Sequence, residues 1–227
     1  ASLRPGYFEK QVTPFIEKCM MQVCSILMLS PVRLFRKEAK YSNLYDEDEL
    51  KVPPFFARPE FEFERTETQT RYKLRIFLEE KEMLLSARSV ELVTNDPCLL
   101  IYRNQLVAFE KLNAKKLMPF FEKDYVTVPN TIEDKYYSGF VLNTVRDYDV
   151  KARGFEVVQA AAGKKAVLSL ENNLQYRPCL VLNFEYGDEK FLPDSAREMA
   201  VSVKKQNGTF VYYKTTRDFT WEKKILQ

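Results

Sequence analysis

The side chains that carry most protein chemistry are thinly supplied in this 227-residue chain. Histidine is absent, which removes Ser-His-Asp and Cys-His nucleophilic machinery, the commonest zinc ligand and the usual general base near neutrality. Cys19, Cys24, Cys98 and Cys179 form no CxxC pairing and sit in apolar runs, so they read as small buried hydrophobes and not as a metal cage. Gly163-Lys164-Lys165 looks superficially like the end of a phosphate-binding loop. That motif needs Gly five residues earlier, where Val158 stands, and Ser or Thr after the lysine, where Lys165 stands. Ala160-Ala161-Ala162-Gly163 therefore reads as a loop between strands. The acidic run Asp46-Glu47-Asp48-Glu49 reads as a solvated loop, because consecutive carboxylates repel and diverge. No catalytic residue, metal ligand or resident cofactor is expected within these residues.

One constellation has chemical content: basic residues interleaved with aromatics. Residues 197–227 carry Arg197, Lys204, Lys205, Lys214, Arg217, Lys223 and Lys224 against Glu198, Asp218 and Glu222. Stacking platforms beside phosphate-binding cations are how single strands are gripped, so Lys204, Lys205, Tyr212, Lys214 and Arg217 are the candidate nucleic-acid contacts. The overall charge of +3 is too mild to imply such binding by itself. Arg217 and Asp218 also read structurally, as a pair at a helix start with Asp218 capping it.

The elements that must hold these residues follow from composition and periodicity. With 45% hydrophobic and 30% charged residues the chain is ordinary globular material, and 17 Phe and 13 Tyr beside 6 Gly point to buried sheet. No run of 18 apolar residues occurs, so no membrane span and no membrane partner is expected, and a cytoplasmic location is the default. An N-terminal amphipathic helix is predicted over 13–29, with Ile16, Met20, Val23 and Leu27 on its apolar face and Glu17 and Lys18 away from it. Pro31 ends it. The basic stretch Arg33, Arg36, Lys37 and Lys40 and the acidic run belong to a linker over 30–58.

From there the period is two: Glu60-Phe61-Glu62-Phe63-Glu64 alternates as a half-buried strand must, and strands follow over 72–78, 83–85, 90–93, 99–102 and 106–109. Asn113 caps a short helix, a strand covers 125–128, and Thr131 with Asp134 opens a second helix as a capping box. Strands over 166–170, 180–186, 190–192, 199–203 and 210–213 fill the rest, with Asn207-Gly208 a strong hairpin signal. The expected fold is α+β, with two antiparallel β-meander regions separated by helices, divided into 1–58, 59–128 and 129–227. Phe61-Glu62-Phe63-Glu64 aligns with Leu168-Ser169-Leu170-Glu171, and 74–84 aligns with 182–192, at an offset of about 107 to 111 residues. Two explanations stand: an internal duplication of a meander-plus-helix unit, or two unrelated meanders sharing a generic pattern.

Phe184-Glu185-Tyr186-Gly187, then Arg217-Asp218 followed by Glu222 and an apolar helix, resembles the accessory region that precedes the ATPase motor of bacterial Swi/Snf-type helicases. So do the segment from Glu133-Asp134-Lys135-Tyr136-Tyr137 to Gly154-Phe155-Glu156-Val157 and the Phe61/Phe63 strand leading into Tyr72-Lys73-Leu74. The resemblance implies a parent protein that is an ATP-driven DNA translocase, with ATP and Mg²⁺ bound in a motor beyond this segment. The start at Ala1 and the helical start at Trp221 fit such a segment of a longer chain. The partners implied are the protein's own motor domain and DNA, with Arg217, Asp218, Trp221 and Glu222 at the joint. The expected role is a non-catalytic module regulating the motor or assisting DNA engagement. The alternative is a protein–protein module without nucleic-acid contact, docking through exposed aromatics and the acidic loop.

Overall fold

The computed structural model describes residues 8–37, 45–86, 88–161 and 163–227, so Lys40 and Ala162 lie outside the described residues. The chain is α+β, with helices packed on several small sheets. It divides into two compact units. The first comprises Ala1–Glu64, Gln69–Val128 and Asp149–Lys151; the second comprises Arg65–Thr68, Pro129–Tyr148 and Ala152–Gln227. Among the described residues no helix is long and apolar enough to cross a membrane.

In the first unit, helix α1 (Thr13–Met28) precedes a two-stranded ribbon of β1 (Leu34–Phe35) and β2 (Glu49–Leu50). Strands β3 (Arg58–Arg65), β4 (Gln69–Leu78) and β5 (Lys81–Met83) follow, then β6 (Val90–Asn95), β7 (Cys98–Tyr102) and β8 (Gln105–Ala108). Helix α2 (Ala114–Leu117) runs into a 3-10 turn over Met118–Phe121, and β9 (Val126–Pro129) pairs with β4. Alternation holds along β3 from Phe61 to Glu64 but breaks at Glu60, which is buried beside Phe61 and pairs with Lys151 at 3.0 Å. Phe61 and Phe63 are buried, Phe63 stacks on Tyr72 at 5.6 Å, and Tyr72 meets Phe120 of the 3-10 turn edge-on at 5.7 Å. Asn113 caps α2 by accepting from the Lys115 amide at 2.9 Å.

Two expectations fail here. Helix α1 docks by a face about 100° round from the predicted one: Glu17 and Cys24 are buried, Met21 and Met28 pack with Leu99, Leu106 and Ala108, Leu27 is half-buried, and Ile16 and Val23 stand 50% exposed. The Glu17 carboxylate decides this, because it accepts from the backbone amide of Asn95 at 2.7 Å and from its side chain at 3.3 Å. The segment read as linker is also partly structured. It carries β1 and β2 and buries Leu50 and Ala57, and Arg33 bonds Asp46 and Glu49 of the acidic run.

The second unit begins with helix α3 (Glu133–Tyr136), a π-helical turn over Tyr137–Val141 and helix α4 (Leu142–Asp147). Thr131 and Asp134 do not form the predicted capping box. Residues Asn130–Ile132 make a 3-10 turn instead, and Asp134 pairs with Lys205. Strand β10 (Asp149–Arg153), which sequence periodicity missed, returns the chain to the first unit over Asp149–Lys151 and pairs there with β3. Gly154 follows at φ +89, where a Cβ would lie 2.9 Å from both Cβ and O of Arg65, so the turn needs glycine.

Two three-stranded sheets complete the unit. One holds β12 (Lys164–Asn172), β13 (Pro178–Tyr186) and β14 (Glu189–Phe191) in that order, with β12 at its edge. The other holds β11 (Glu156–Gln159), β16 (Thr209–Thr216) and β15 (Met199–Gln206), and its β11–β16 pair is parallel, so this region is not the wholly antiparallel meander expected. Asn207 and Gly208 take φ values of 49 and 79, as a tight primed hairpin turn requires. Tyr137 stacks on Phe210 at 4.3 Å and accepts on its carbonyl the Tyr212 hydroxyl at 2.8 Å, tying the helices to one sheet. Helix α5 (Phe219–Leu226) covers the other.

Candidate functional site

The most ordered polar constellation in the second unit is built on Arg217, at the junction of β16 and α5. The Arg217 side chain is 0% exposed and that of Glu222 is 4% exposed. Guanidinium Nε donates to Glu222 Oε1 at 2.9 Å and Nη2 to Oε2 at 2.6 Å. Nη2 also donates to the Leu192 carbonyl at 3.1 Å, and Nη1 to those of Ser195 at 2.6 Å and Arg197 at 3.2 Å. Every N–H of the fork is thereby satisfied, which is the condition for burying such a charge.

Tyr186 completes the arrangement, donating its hydroxyl to Glu222 Oε1 at 2.6 Å and accepting from the Asp218 amide at 2.9 Å. Burial, and then the hydrogen bond to Glu222, push the Tyr186 hydroxyl up to about 12. Burial alone would push the Glu222 carboxyl up, but its bonds from Arg217 and Tyr186 hold it below the usual carboxylate range. Asp218 caps α5 by accepting from the Trp221 amide at 3.0 Å and pairs with Lys164. Trp221 packs edge-on against Phe184 at 5.5 Å and Tyr186 at 5.9 Å. What this assembly does is fasten α5 to its sheet.

The candidate nucleic-acid contacts do not come together. Tyr212 is 0% exposed and Arg217 is consumed by its buried bonds, so neither offers anything to a phosphate or a base. Lys204, Lys205 and Lys214 remain at the surface or half-buried, but strand alternation divides them. Lys204 lies over the Tyr213 ring at 5.7 Å on one face of the β15–β16 hairpin. Lys205 and Lys214 lie on the opposite face, where Lys205 is bonded to Asp134 at 2.9 Å and rests over Phe210 at 4.8 Å. The groove of ≈ 240 Å³ beside Lys204 is lined by Asp188 and Glu189 as well, which offsets its charge.

The first unit has a larger cleft of ≈ 450 Å³, lined by Lys51, Phe55, Glu79, Lys81, Glu82, Tyr102 and Arg103 among others. Its charges are mixed, and Glu82 is bonded to Arg75. Among the described residues no three His, Cys, Asp or Glu side chains gather as a metal site would require. Burial raises the Cys24 thiol and pushes Cys98 up to about 12, which disfavours the thiolate at both.

The surface feature that sequence reasoning missed is apolar. On the β12–β13 hairpin Leu168 is 63% exposed, Leu170 73% and Leu180 68%. These alternate residues share the face that carries Phe184 and Trp221 further along. Alternation showed that they share a face, but nothing local to the sequence showed that the face is uncovered. No family model, curated protein or solved structure matches the chain.

Proposed function

We propose that the chain is a non-catalytic docking module of a larger protein, working through protein contact on its second unit. The observation that carries this reading is the uncovered leucine face of β12 and β13, which lies beside a helix fastened by a fully bonded buried arginine. Contiguous exposed apolar residues on a rigid sheet mark an interaction surface. The resemblance to the accessory region of Swi/Snf-type helicases supports an ATP-driven DNA translocase as the parent, with its own motor as the natural first partner. DNA engagement by this segment has weaker support, because two of its candidate contacts are buried and the lysines divide between two faces.

The internal duplication belongs to the same proposal. Strand pairs Ile76↔Met83, Phe77↔Glu82 and Leu78↔Lys81 in the first unit correspond at one constant offset to Phe184↔Phe191, Glu185↔Lys190 and Tyr186↔Glu189 in the second. At an offset one residue shorter Leu168 and Leu170 align with Phe61 and Phe63, and at the offset of those pairs Leu180 aligns with Tyr72. There a helical turn bearing Phe120 covers the equivalent face.

Titration of the chain with duplex and single-stranded DNA tests the reading. Binding is expected to be undetectable at low salt, with Lys204→Glu/Lys205→Glu indistinguishable from the parent chain. Tight binding that weakens steeply with salt, as counterion release demands, overturns the protein-docking reading in favour of DNA engagement.

A further inference from the structure

Among the described residues no strand pairs with the outer side of β12, and Leu168 and Leu170 stand exposed on its face. Its register with β13 is unbroken from Lys164↔Tyr186 to Asn172↔Pro178. The Gly187 amide donates to the Gly163 carbonyl at 3.1 Å and the Asn173 amide to the Arg177 carbonyl at 2.9 Å, so the odd-numbered residues turn their backbone groups toward β13. The backbone groups of residues 164, 166, 168, 170 and 172 therefore face the open edge. An edge strand of nine residues is a template for another strand, and natural proteins usually blunt such edges with charge.

The charges on this edge do more than blunt it. Lys165 and Glu171 are both exposed and lie at equal distances on either side of Leu168. When a second copy of β12 is laid antiparallel with Leu168 opposite Leu168, the outward-facing even residues pair with one another, as the hydrogen bonding requires. Lys165 then falls opposite Glu171 of the second copy, and the two-fold axis repeats that ion pair. Ala166 falls opposite Leu170, and the leucine rows of the two hairpins join into one surface. A shift of two residues in the sum of the paired positions keeps the hydrogen bonding but places Lys165 opposite Ser169 or Asn173, and the charge match is lost.

We infer that β12 is a self-association edge, pairing antiparallel with β12 of a second copy of this chain about Leu168, in the register set by Lys165 and Glu171. The inference rests on the docking reading and deepens it: a second copy takes the strand edge, and the joined leucine face is what a further partner would meet. Sheet extension across the axis would give a six-stranded sheet, β14-β13-β12-β12-β13-β14. Each copy would bring its Ala166 end, where Phe184 and Trp221 pack, beside the bare Leu170 of the other.

Sedimentation equilibrium on the full 227-residue chain tests this. The chain is expected to be in reversible monomer–dimer equilibrium. Lys165→Glu and Glu171→Lys each replace two attractive pairs by two repulsive ones, and each is expected to weaken the dimer at least about tenfold. The double swap Lys165→Glu/Glu171→Lys restores opposite charges across the axis and is expected to return the dissociation constant to within about threefold of the parent. Both side chains are exposed, and far-UV circular dichroism confirms that each variant keeps its fold. A chain monomeric at about 0.2 mM, where pairs of standard affinity are complexed, overturns the inference. So does a dimer that is indifferent to the swaps. Neither result touches the docking reading, which is judged by the DNA titration alone.

Discussion

At the scale of residues, the second unit turns on one buried ion pair. Arg217 and Glu222 are withdrawn from water, which costs several kcal/mol per ion and is repaid only because every donor of the fork has a partner. Removing one member leaves the other buried and uncompensated, so Glu222→Gln is expected to lower stability by about 3–5 kcal/mol at neutral pH. The pH dependence follows from the direction of the shift. Glu222 binds its proton more weakly when folded than in the unfolded chain, whose ordinary value is about 4.3. The stability it supplies is therefore complete above that ordinary value and is lost as pH falls through the lower folded value. Urea melts from pH 7 down to about pH 3 are expected to show the gap between the parent chain and Glu222→Gln closing below about pH 4.5. A constant gap across that range would mean that the carboxylate charge is not what holds Arg217.

At the scale of elements, what was legible in the sequence and what was not divide along a physical line. Period-two alternation placed β3, β4, β13, β15 and β16, and the Asn207-Gly208 turn, because those signals are local. Asn113 and Asp218 as helix caps were legible for the same reason. The face by which α1 docks was not, since a helix with apolar residues on both sides is oriented by its partner. Ile16, Val23 and Ile26 lost to a carboxylate that found the Asn95 amide 78 residues away. Strands β10 and β11 escaped because each is short and is paired by residues distant in sequence. Among the candidate site residues, the pattern gave the Arg217, Asp218, Trp221 and Glu222 cluster, but not the burial that denies Tyr212 and Arg217 to a nucleic acid. The orientation of α1 has its own test. Glu17→Ala removes the charged acceptor from two bonds and is expected to cost about 1.5–3 kcal/mol in thermal or urea melts. Ile16→Ala and Val23→Ala, on the side that periodicity favoured, are expected to stay within about 0.5 kcal/mol. The reverse ranking would put the docked face where the sequence pattern placed it.

At the scale of the whole molecule, the chain is not two consecutive segments. The second unit recruits Arg65–Thr68, the tip of the β3–β4 hairpin, from the middle of the first unit's sequence. That tip makes specific bonds within the second unit. Arg65 pairs with Glu133 at 2.6 Å and lies over the Phe210 ring at 5.7 Å. The Asn130 side chain donates to the carbonyls of Thr66 at 3.2 Å and Glu67 at 2.8 Å, and its amide donates to that of Thr68 at 3.2 Å. Gly154 is glycine because the Arg65 backbone comes so close. A division at residue 129, natural from the sequence, therefore cuts through the second unit's own contacts. A fragment of residues 129–227 loses the partly buried Arg65–Glu133 pair and the three Asn130 bonds together. At about 1 kcal/mol for each neutral hydrogen bond and somewhat more for a charged one, the deficit is about 3–6 kcal/mol, comparable with the whole stability of a small domain. The fragment is expected to melt well below the full chain, or to lack a cooperative transition, in differential scanning calorimetry. Grafting residues 58–78 back through a flexible linker is expected to recover the transition. A fragment of 129–227 as stable as the full chain would show the hairpin tip to be an ornament of the second unit and not a part of its fold.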